Sequence, residues 1–254
     1  MGQRGAIMDI RDFFEENNRI AVAFSGGVDS SYLLYAAKQC GADVTAYYVK
    51  SQFQPDFEFE DAKKIAELTG AEMKVLRVDA LSDPRVRANP ADRCYWCKKN
   101  IMGAITRAAA DDGFALVIDG TNASDPADDR PGMRALKEFG IRSPLRECGI
   151  TKAEVRERSR EAGLPVWNKP AYACLATRIQ TGEEITEEDL ARTEKAEAEI
   201  SGMGFRDFRV RLRDGNALLQ VTSAQHDMAL ERKDEIDRLI GDMYGSVIID
   251  EETR

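Results

Sequence analysis

Along most of the chain, short apolar runs alternate with stretches whose apolar residues recur at helical spacing. Ile20-Ala-Val-Ala-Phe24, Asp43 to Val49, Glu72 to Val78 and Phe114 to Ile118 have the length and content of buried strands. Between them, Ser31 to Lys38, Glu58 to Leu68 and Tyr95 to Ala110 read as helices, the second ended by Gly70. Gly5 to Asn17 reads as an amphipathic helix with Ile7, Ile10, Phe13 and Phe14 on one side. Thr151 to Ala162 carries its own signals: Thr151 and Glu154 form a capping box, and Gly163 stops the helix before Pro165. Strands alternating with helices predict βαβ units and a parallel sheet.

The pattern then changes. Trp167 to Arg178 has little periodicity and many unlike side chains, which suits a site loop, and Thr181-Gly182 reads as a linker. The expected division is 1–180 and 181–254. In the second part Thr186 caps a helix to about Ser201, and Phe208 to Arg213 alternates strictly. Phe208, Val210 and Leu212 face one way; Arg209, Arg211 and Arg213 face the other. Ala217 to Val221 can pair with this strand across Asp214-Gly215-Asn216, and a helix around Ala229 to Met243 and a strand from Ser246 to Asp250 follow. The expected fold class is α/β, a parallel sheet flanked by helices, with a smaller C-terminal α+β domain. The three arginines are either a solvated strand face or a phosphate site.

With 254 residues, 43% of them hydrophobic and 32% charged, the chain has the composition of a soluble globular protein. No apolar run reaches the roughly 20 residues of a membrane helix, and Met1 to Ala6 lacks the apolar core of a signal peptide, so a cytoplasmic location is expected. The formal net charge of −9 disfavours a nucleic-acid partner, which usually calls for a basic surplus. His226 is the only histidine, which excludes multi-histidine metal sites and disfavours a Ser-His-Asp apparatus.

The candidate chemistry centres on Ser25-Gly-Gly-Val-Asp-Ser30, between an apolar strand and a helix start. Gly26 and Gly27 allow positive φ and close approach of a ligand. Amides at a helix start face outward and favour an anion. Ser25 and Ser30 add hydroxyls, and Asp29 can hold Mg²⁺ beside a phosphate. No Lys-Ser/Thr follows the glycines, so this is not a Walker A loop. The stretch resembles the PP-loop of the ATP pyrophosphatases, SGGxDS, at every fixed position. That resemblance implies a Rossmann-like fold and cleavage of ATP between the α- and β-phosphates. Asp119-Gly-Thr-Asn122 follows another strand, so Asp119, Thr121 and Asn122 are expected to line the same sheet edge opposite the glycine turn. Arg130, Arg134 and Arg142 are candidates to stabilise departing pyrophosphate.

Five cysteines, an odd number, point to metal or reactive thiols rather than a disulfide framework. Cys94-Tyr-Trp-Cys97 is compatible with a redox couple, half a zinc site or part of an iron–sulfur site. Cys174, in the irregular loop, is a candidate third ligand; three thiolates suit a [4Fe–4S] cluster with one iron open. With Cys148 added, four thiolates would make a closed zinc site. Cys40, at the end of an apolar helix, is assigned to packing.

Taken together, Ala23 to Ser30, Arg93 to Lys98, Asp119 to Asn122, Arg130 to Gly132, Arg142 to Leu145, Lys169 to Ala171, Ala173 to Ala176 and Gly182 to Thr186 carry a narrower resemblance. They resemble the ATP-dependent sulfur transferases that make pyridinium-3,5-bisthiocarboxylic acid mononucleotide, the organic part of the nickel-pincer cofactor. The likeness covers nearly the whole chain. It implies that a substrate carboxylate is adenylated by ATP and that sulfur then replaces AMP. One branch of that family sacrifices a cysteine at the position of Cys174; another carries three cysteines and holds a [4Fe–4S] cluster. With Cys94, Cys97 and Cys174 all present, the chain is assigned to the cluster branch.

The resemblance further implies ATP, Mg²⁺ and the cluster as cofactors, and Trp96, Thr177, Arg209 and Arg211 as holders of the mononucleotide. A cysteine desulfurase or free sulfide is the implied sulfur source, and a homo-oligomer is expected. The alternatives are a tRNA thiolase, disfavoured by the acidic balance, an amide-forming PP-loop synthetase without a cluster, and a zinc-stabilised nucleotide sensor that releases no pyrophosphate.

Overall fold

The computed structural model describes residues 8–126 and 131–254. Gly5 to Ile7 of the expected first helix and the candidate Arg130 lie outside the described residues. In chain order the elements are α1 (Ile10–Glu16), β1 (Arg19–Phe24), α2 (Val28–Gln39), β2 (Asp43–Lys50), α3 (Asp56–Thr69), β3 (Glu72–Arg77), α4 (Pro84–Arg87), α5 (Arg93–Asp111), β4 (Val117–Asp119), α6 (Pro131–Glu138), α7 (Pro144–Glu147), α8 (Lys152–Glu161), α9 (Glu187–Gly202), β5 (Arg209–Arg213), β6 (Asn216–Gln220), α10 (His226–Glu231), α11 (Lys233–Ile240) and β7 (Val247–Ile249). Among the described residues no helix is long and apolar enough to cross a membrane.

The chain divides into two compact units. The first comprises 1–51, 56–78 and 94–169; the second comprises 52–55, 79–93 and 170–254. The continuous run of the second unit thus starts at Pro170, ahead of the 180/181 position expected from sequence.

In the first unit, four parallel strands run in the order β3-β2-β1-β4. Both faces are covered, and the alternation of each strand shows how. Ile20, Val22 and Phe24 of β1 and Val44, Ala46 and Tyr48 of β2 enter one core, with Leu33, Leu34 and Ile65. Ala21, Tyr47 and Val49 enter the other, with Met102, Ile105 and Leu136. Burial on both faces explains why these strands are continuous apolar runs in the sequence. The expected strand from Phe114 is shorter, only Val117–Asp119 pairing with β1. Phe114 instead packs edge-on against the Tyr47 ring.

The capping box at α8 is formed: Thr151 accepts from the Glu154 amide, and the Glu154 carboxylate accepts from the Thr151 amide. The order β3-β2-β1-β4 means that the chain leaves β1 in one direction for β2 and reaches β4 on the opposite side. The carboxyl ends of β1 and β4 therefore border a topological switch point, where open α/β sheets bind ligands.

In the second unit, β5 and β6 form an antiparallel hairpin joined at Asp214–Gly215, and β7 adds in parallel to β6. Both turn residues have positive φ, +49° and +78°, which is the requirement of the tight turn that Asp-Gly favours. The single helix expected over Ala229 to Met243 is instead α10 and α11, separated at Arg232. Segment 79–93 is stitched to the later chain by backbone bonds from Gly182 to Asn89 and from Ile185 to Arg87.

Candidate active site

β1 ends at Phe24 and α2 begins at Val28, so Ser25-Gly26-Gly27 is the whole turn between them. Gly26 holds φ +74°, and a Cβ there would stand 2.9 Å from the Cβ of Ala62, so no other residue fits. Gly27 differs from expectation: it is the N-cap of α2 with φ −75°, an ordinary extended value. The serines wire the turn. Ser30 Oγ donates to the Gly27 carbonyl at 3.2 Å, accepts the Ser25 amide at 3.3 Å and lies 3.1 Å from Ser25 Oγ. The turn is held in shape by its own side chains and presents the N-terminus of a long helix, the geometry that attracts phosphate.

The opposite wall grows from the end of β4. Asp119 is buried, and its carboxylate accepts Thr121 Oγ1 at 2.6 Å, the Thr121 amide at 3.2 Å and Ser143 Oγ at 2.6 Å. Gly120 lets the two walls touch: a Cβ there would be 2.8 Å from the Ser30 amide nitrogen. Asn122 crosses the gap and donates to Asp29 Oδ1 at 3.1 Å. Lys152, at the start of α8, donates to Asp29 Oδ2 at 2.5 Å. Its own amide donates to Ser124 Oγ, and the Ser124 amide to Asn122 Oδ1. One hydrogen-bonded web thus joins the glycine turn, the β4 loop and α8.

These groups line a cavity of about 520 Å³, with Ser25, Asp29, Ser30, Asp119 and Thr121 in its wall. Such a volume is in the range of small-molecule sites. Cys94 and Lys98, one turn apart on α5, line the same cavity. A cysteine, a lysine and the glycine turn therefore meet in one place within the first unit. Cys97 and Trp96 lie on the same first turns of α5, where the Trp96 ring packs edge-on against Tyr95.

Cys174, Thr177, Arg209 and Arg211 lie on the second unit. Cys174 is the N-cap of a 3-10 turn over Leu175–Arg178 and is half-buried. Thr177 donates from Oγ1 to the Cys174 carbonyl at 2.8 Å. The β5 arginines do not form the solvated face that is the common alternative: Arg209 is buried and donates to the Ala171 carbonyl at 2.7 Å. Arg211 donates to the Thr177 carbonyl at 2.8 Å and Arg213 to the Arg178 carbonyl at 3.3 Å. Burial, with the charges of Arg178 and Arg254 nearby, pulls the Arg209 guanidinium down to about 10. Burial and the neighbouring Arg213 lower Arg211 as well.

None of the five cysteines forms a disulfide. Cys40 and Cys148 pack against the first unit's core, and burial pushes the Cys148 thiol up to about 11. Among the described residues, no group of three or more His, Cys, Asp or Glu side chains is gathered as a metal site. Cys94 and Cys97 are three residues apart on one helix, and Cys174 belongs to the other unit. The thiol chemistry of this donor set suits an iron–sulfur group. The Asp29 carboxylate, on the cavity wall, suits Mg²⁺.

Two arginines are engaged elsewhere: Arg142 pairs with Glu147 at 2.5 Å and stacks over Phe13, and Arg134 lies over the Tyr95 ring at 3.7 Å. Lys152, Lys98, Gly120 and Ser143 were not legible as site residues. Lys98 had a signal, being four residues after Cys94 on a helix. Lys152 had only its place beside a capping Thr.

A Ser-Gly-Gly-Val-Asp-Ser turn at the switch point of a parallel sheet, closed by a polar loop from the neighbouring strand, defines an ATP-using enzyme of the PP-loop class. The chain is 36% identical over 222 residues to the pyridinium-3,5-bisthiocarboxylic acid mononucleotide synthase of Lactiplantibacillus plantarum, covering 87% of this chain and 80% of that protein. It belongs to that synthase family. An uncharacterized protein of Synechocystis sp. is 38% identical over 218 residues, 85% of this chain and 81% of that protein. The tRNA-specific 2-thiouridylase MnmA 2 of Clostridium botulinum is 27% identical over 182 residues, 59% of this chain and 52% of that protein. The family profile of Queuosine biosynthesis protein QueC matches residues 19–91, the span of β1 to β3 and the segment after them.

Proposed function

We propose that this enzyme uses ATP to adenylate the carboxylates of pyridinium-3,5-biscarboxylic acid mononucleotide and replaces AMP with sulfur. The observation that carries the proposal is the shared cavity: Cys94 lines the same wall as Ser25, Asp29 and Ser30. A nucleotide loop alone would fit any PP-loop enzyme; a thiol beside it fits one that moves sulfur.

The order of events follows from leaving-group chemistry. A carboxylate is a poor electrophile because oxide would have to leave. Its oxygen attacks the α-phosphorus of ATP, the bond from that phosphorus to the bridging oxygen breaks, and pyrophosphate departs with the electron pair. The glycine turn and the N-terminus of α2 face that charge, and Lys98 and Lys152 add cations. Asp29 would hold Mg²⁺, which would supply further neutralisation of the phosphates. Sulfur then attacks the carbonyl carbon, and the carbon–oxygen bond to AMP breaks. A thiolate or sulfide needs no histidine base, since it is already deprotonated, which agrees with a chain holding one histidine.

Cys94, Cys97 and Cys174 are proposed to hold the [4Fe–4S] cluster. Held by these three thiolates, the cluster would supply an exchangeable sulfur. Arg209 and Arg211, with Thr177 and Trp96, are proposed to hold the mononucleotide. Asp119, Thr121 and Asn122 shape the ATP side. Arg130, outside the described residues, is proposed as a further phosphate contact. A homo-oligomer, a cytoplasmic location and a cysteine desulfurase or free sulfide as donor complete the proposal.

The test separates the two half-reactions. Cys94→Ala and Cys97→Ala should release pyrophosphate at the wild-type rate yet give no thiocarboxylate. Full multi-turnover sulfur transfer by either variant contradicts the cluster. Mass spectrometry of Cys174 after turnover decides the competing route: loss of its sulfur would mark Cys174 as a sacrificial donor.

A further inference from the structure

The chain buries an ion pair that the proposed chemistry does not use. Arg178 has a side chain with no solvent exposure, and it forms two parallel bonds to the Glu197 carboxylate, Nε to Oε1 at 2.7 Å and Nη2 to Oε2 at 3.0 Å. The same carboxylate accepts Tyr172 Oη at 2.5 Å and the Val210 amide at 3.0 Å. Such a pair is poor evidence for stability, because desolvating both charges offsets much of their attraction. Its presence calls for another reason.

That reason lies in the third nitrogen of Arg178. Nη1 donates to the Ala173 carbonyl at 2.9 Å and to Thr177 Oγ1 at 2.8 Å, and reaches the Cys174 carbonyl at 3.5 Å. The Leu175 amide, on the far side of Cys174, donates to the Phe53 carbonyl at 3.0 Å. The backbone is therefore held immediately before, at and after Cys174, while the residue itself stays half-buried rather than enclosed. The grip extends along the loop through Arg209, Arg211 and Arg213, on the carbonyls of Ala171, Thr177 and Arg178.

We infer that the Arg178–Glu197 pair is a positioning device that fixes where Cys174 presents its sulfur. Glu197 fixes the plane of the guanidinium, and the guanidinium fixes the loop. A single planar fork is required, because Arg178 must serve the carboxylate on one edge and the loop on the other. The inference rests on the proposed role of Cys174 in sulfur transfer, but the loop geometry can be tested without that role.

The test uses the full chain with Glu197→Gln, Tyr172→Phe and Arg178→Lys. Glu197→Gln removes the charge; Tyr172→Phe removes one hydroxyl from the carboxylate and serves where the first variant fails to fold. In the iron-free protein without substrate, alkylation by iodoacetamide is followed cysteine by cysteine by mass spectrometry. Cys174 should be labelled faster in each variant, with Cys40 and Cys148 unchanged. In turnover, sulfur transfer should fall about tenfold or more, with pyrophosphate release and the KM for ATP unchanged. Arg178→Lys, which keeps the charge without the fork, should not restore transfer.

Wild-type labelling of Cys174 together with wild-type transfer overturns the inference. So does a parallel loss of pyrophosphate release and transfer, which would make the pair a general structural element. Faster labelling in an enzyme whose wild-type form transfers no sulfur would instead overturn the proposed function and leave the clamp standing.

Discussion

Lys152 Nζ stands 2.5 Å from Asp29 Oδ2, joining the first residue of α8 to the helix that follows the glycine turn. A lysine at a helix start opposes the helix dipole, so its location is unfavourable for α8 taken alone. The Asp29 carboxylate answers that charge. Asp29 thus carries two bonds in this structure, from Lys152 and Asn122, at the point where the proposed reaction needs Mg²⁺ and phosphates.

Replacing Lys152 separates catalysis from stability. Both partners are partly exposed, 35% and 23%, so the pair contributes on the order of 0–1 kcal/mol to folding. A cation beside departing pyrophosphate is worth far more, on the order of a hundredfold in rate. Lys152→Met should therefore cut pyrophosphate release about a hundredfold with almost no change in melting temperature. A coupled pyrophosphate assay and a thermal melt on one preparation check this.

The glycines make a graded prediction. At Gly120 a Cβ meets backbone, the Ser30 amide nitrogen at 2.8 Å and the Asp29 carbonyl carbon at 3.1 Å, and neither can swing aside. Gly120→Ala should cost about 1–3 kcal/mol and abolish ATP binding by pushing the two walls apart. Gly27→Ala meets only Ser25 Oγ at 3.4 Å, an ordinary contact, and should cost less than about 1 kcal/mol. Urea unfolding and nucleotide titration of the two variants should rank them in that order.

Ser143 supports the β4 loop from behind. Its hydroxyl is one of three donors to the buried Asp119 carboxylate. Ser143→Ala should destabilise the chain by about 1–3 kcal/mol and raise the KM for ATP, whereas removal of an exposed serine should do neither. Denaturant midpoints and initial rates provide the comparison.

Burial, followed by the Glu147 and Asp9 charges, raises the Cys148 thiol from an ordinary 9.0 to about 11. Below pH 9 both folded and unfolded chains keep this proton. Between about pH 9 and 11 the unfolded chain releases it and the folded chain does not, so stability falls as pH rises. Cys148→Ala should flatten that part of the curve only in part, leaving the loss due to Cys40, Tyr47, Tyr48, Tyr172 and Tyr244, which are raised too. Melting temperatures across that range, with and without the substitution, measure the difference.

The first unit was legible because its signals are local. Apolar runs buried on both faces, the Thr151–Glu154 box and the glycine turn each need only neighbouring residues to be read. The contacts that local sequence does not encode depend on distant partners. Lys152 meets Asp29 across 123 positions, and Glu197 meets Arg178 across 19 with no helical or strand period linking them. The alternation of Phe208 to Arg213 does give the strand two faces. Which face met protein was not readable, because the carbonyls that hold Arg209, Arg211 and Arg213 belong to a loop without periodicity.

The proposed enzyme couples pyrophosphate release to insertion of sulfur at a carboxylate. The most direct measurement is incubation of the anaerobically reconstituted protein with ATP, Mg²⁺, a sulfide source and pyridinium-3,5-biscarboxylic acid mononucleotide, followed by mass spectrometry of the mononucleotide and an assay of pyrophosphate. Pyrophosphate and AMP are expected together with a mononucleotide in which sulfur has replaced carboxylate oxygen. Pyrophosphate release with the mononucleotide left unsulfurated, or sulfur insertion that proceeds without ATP, contradicts that coupling.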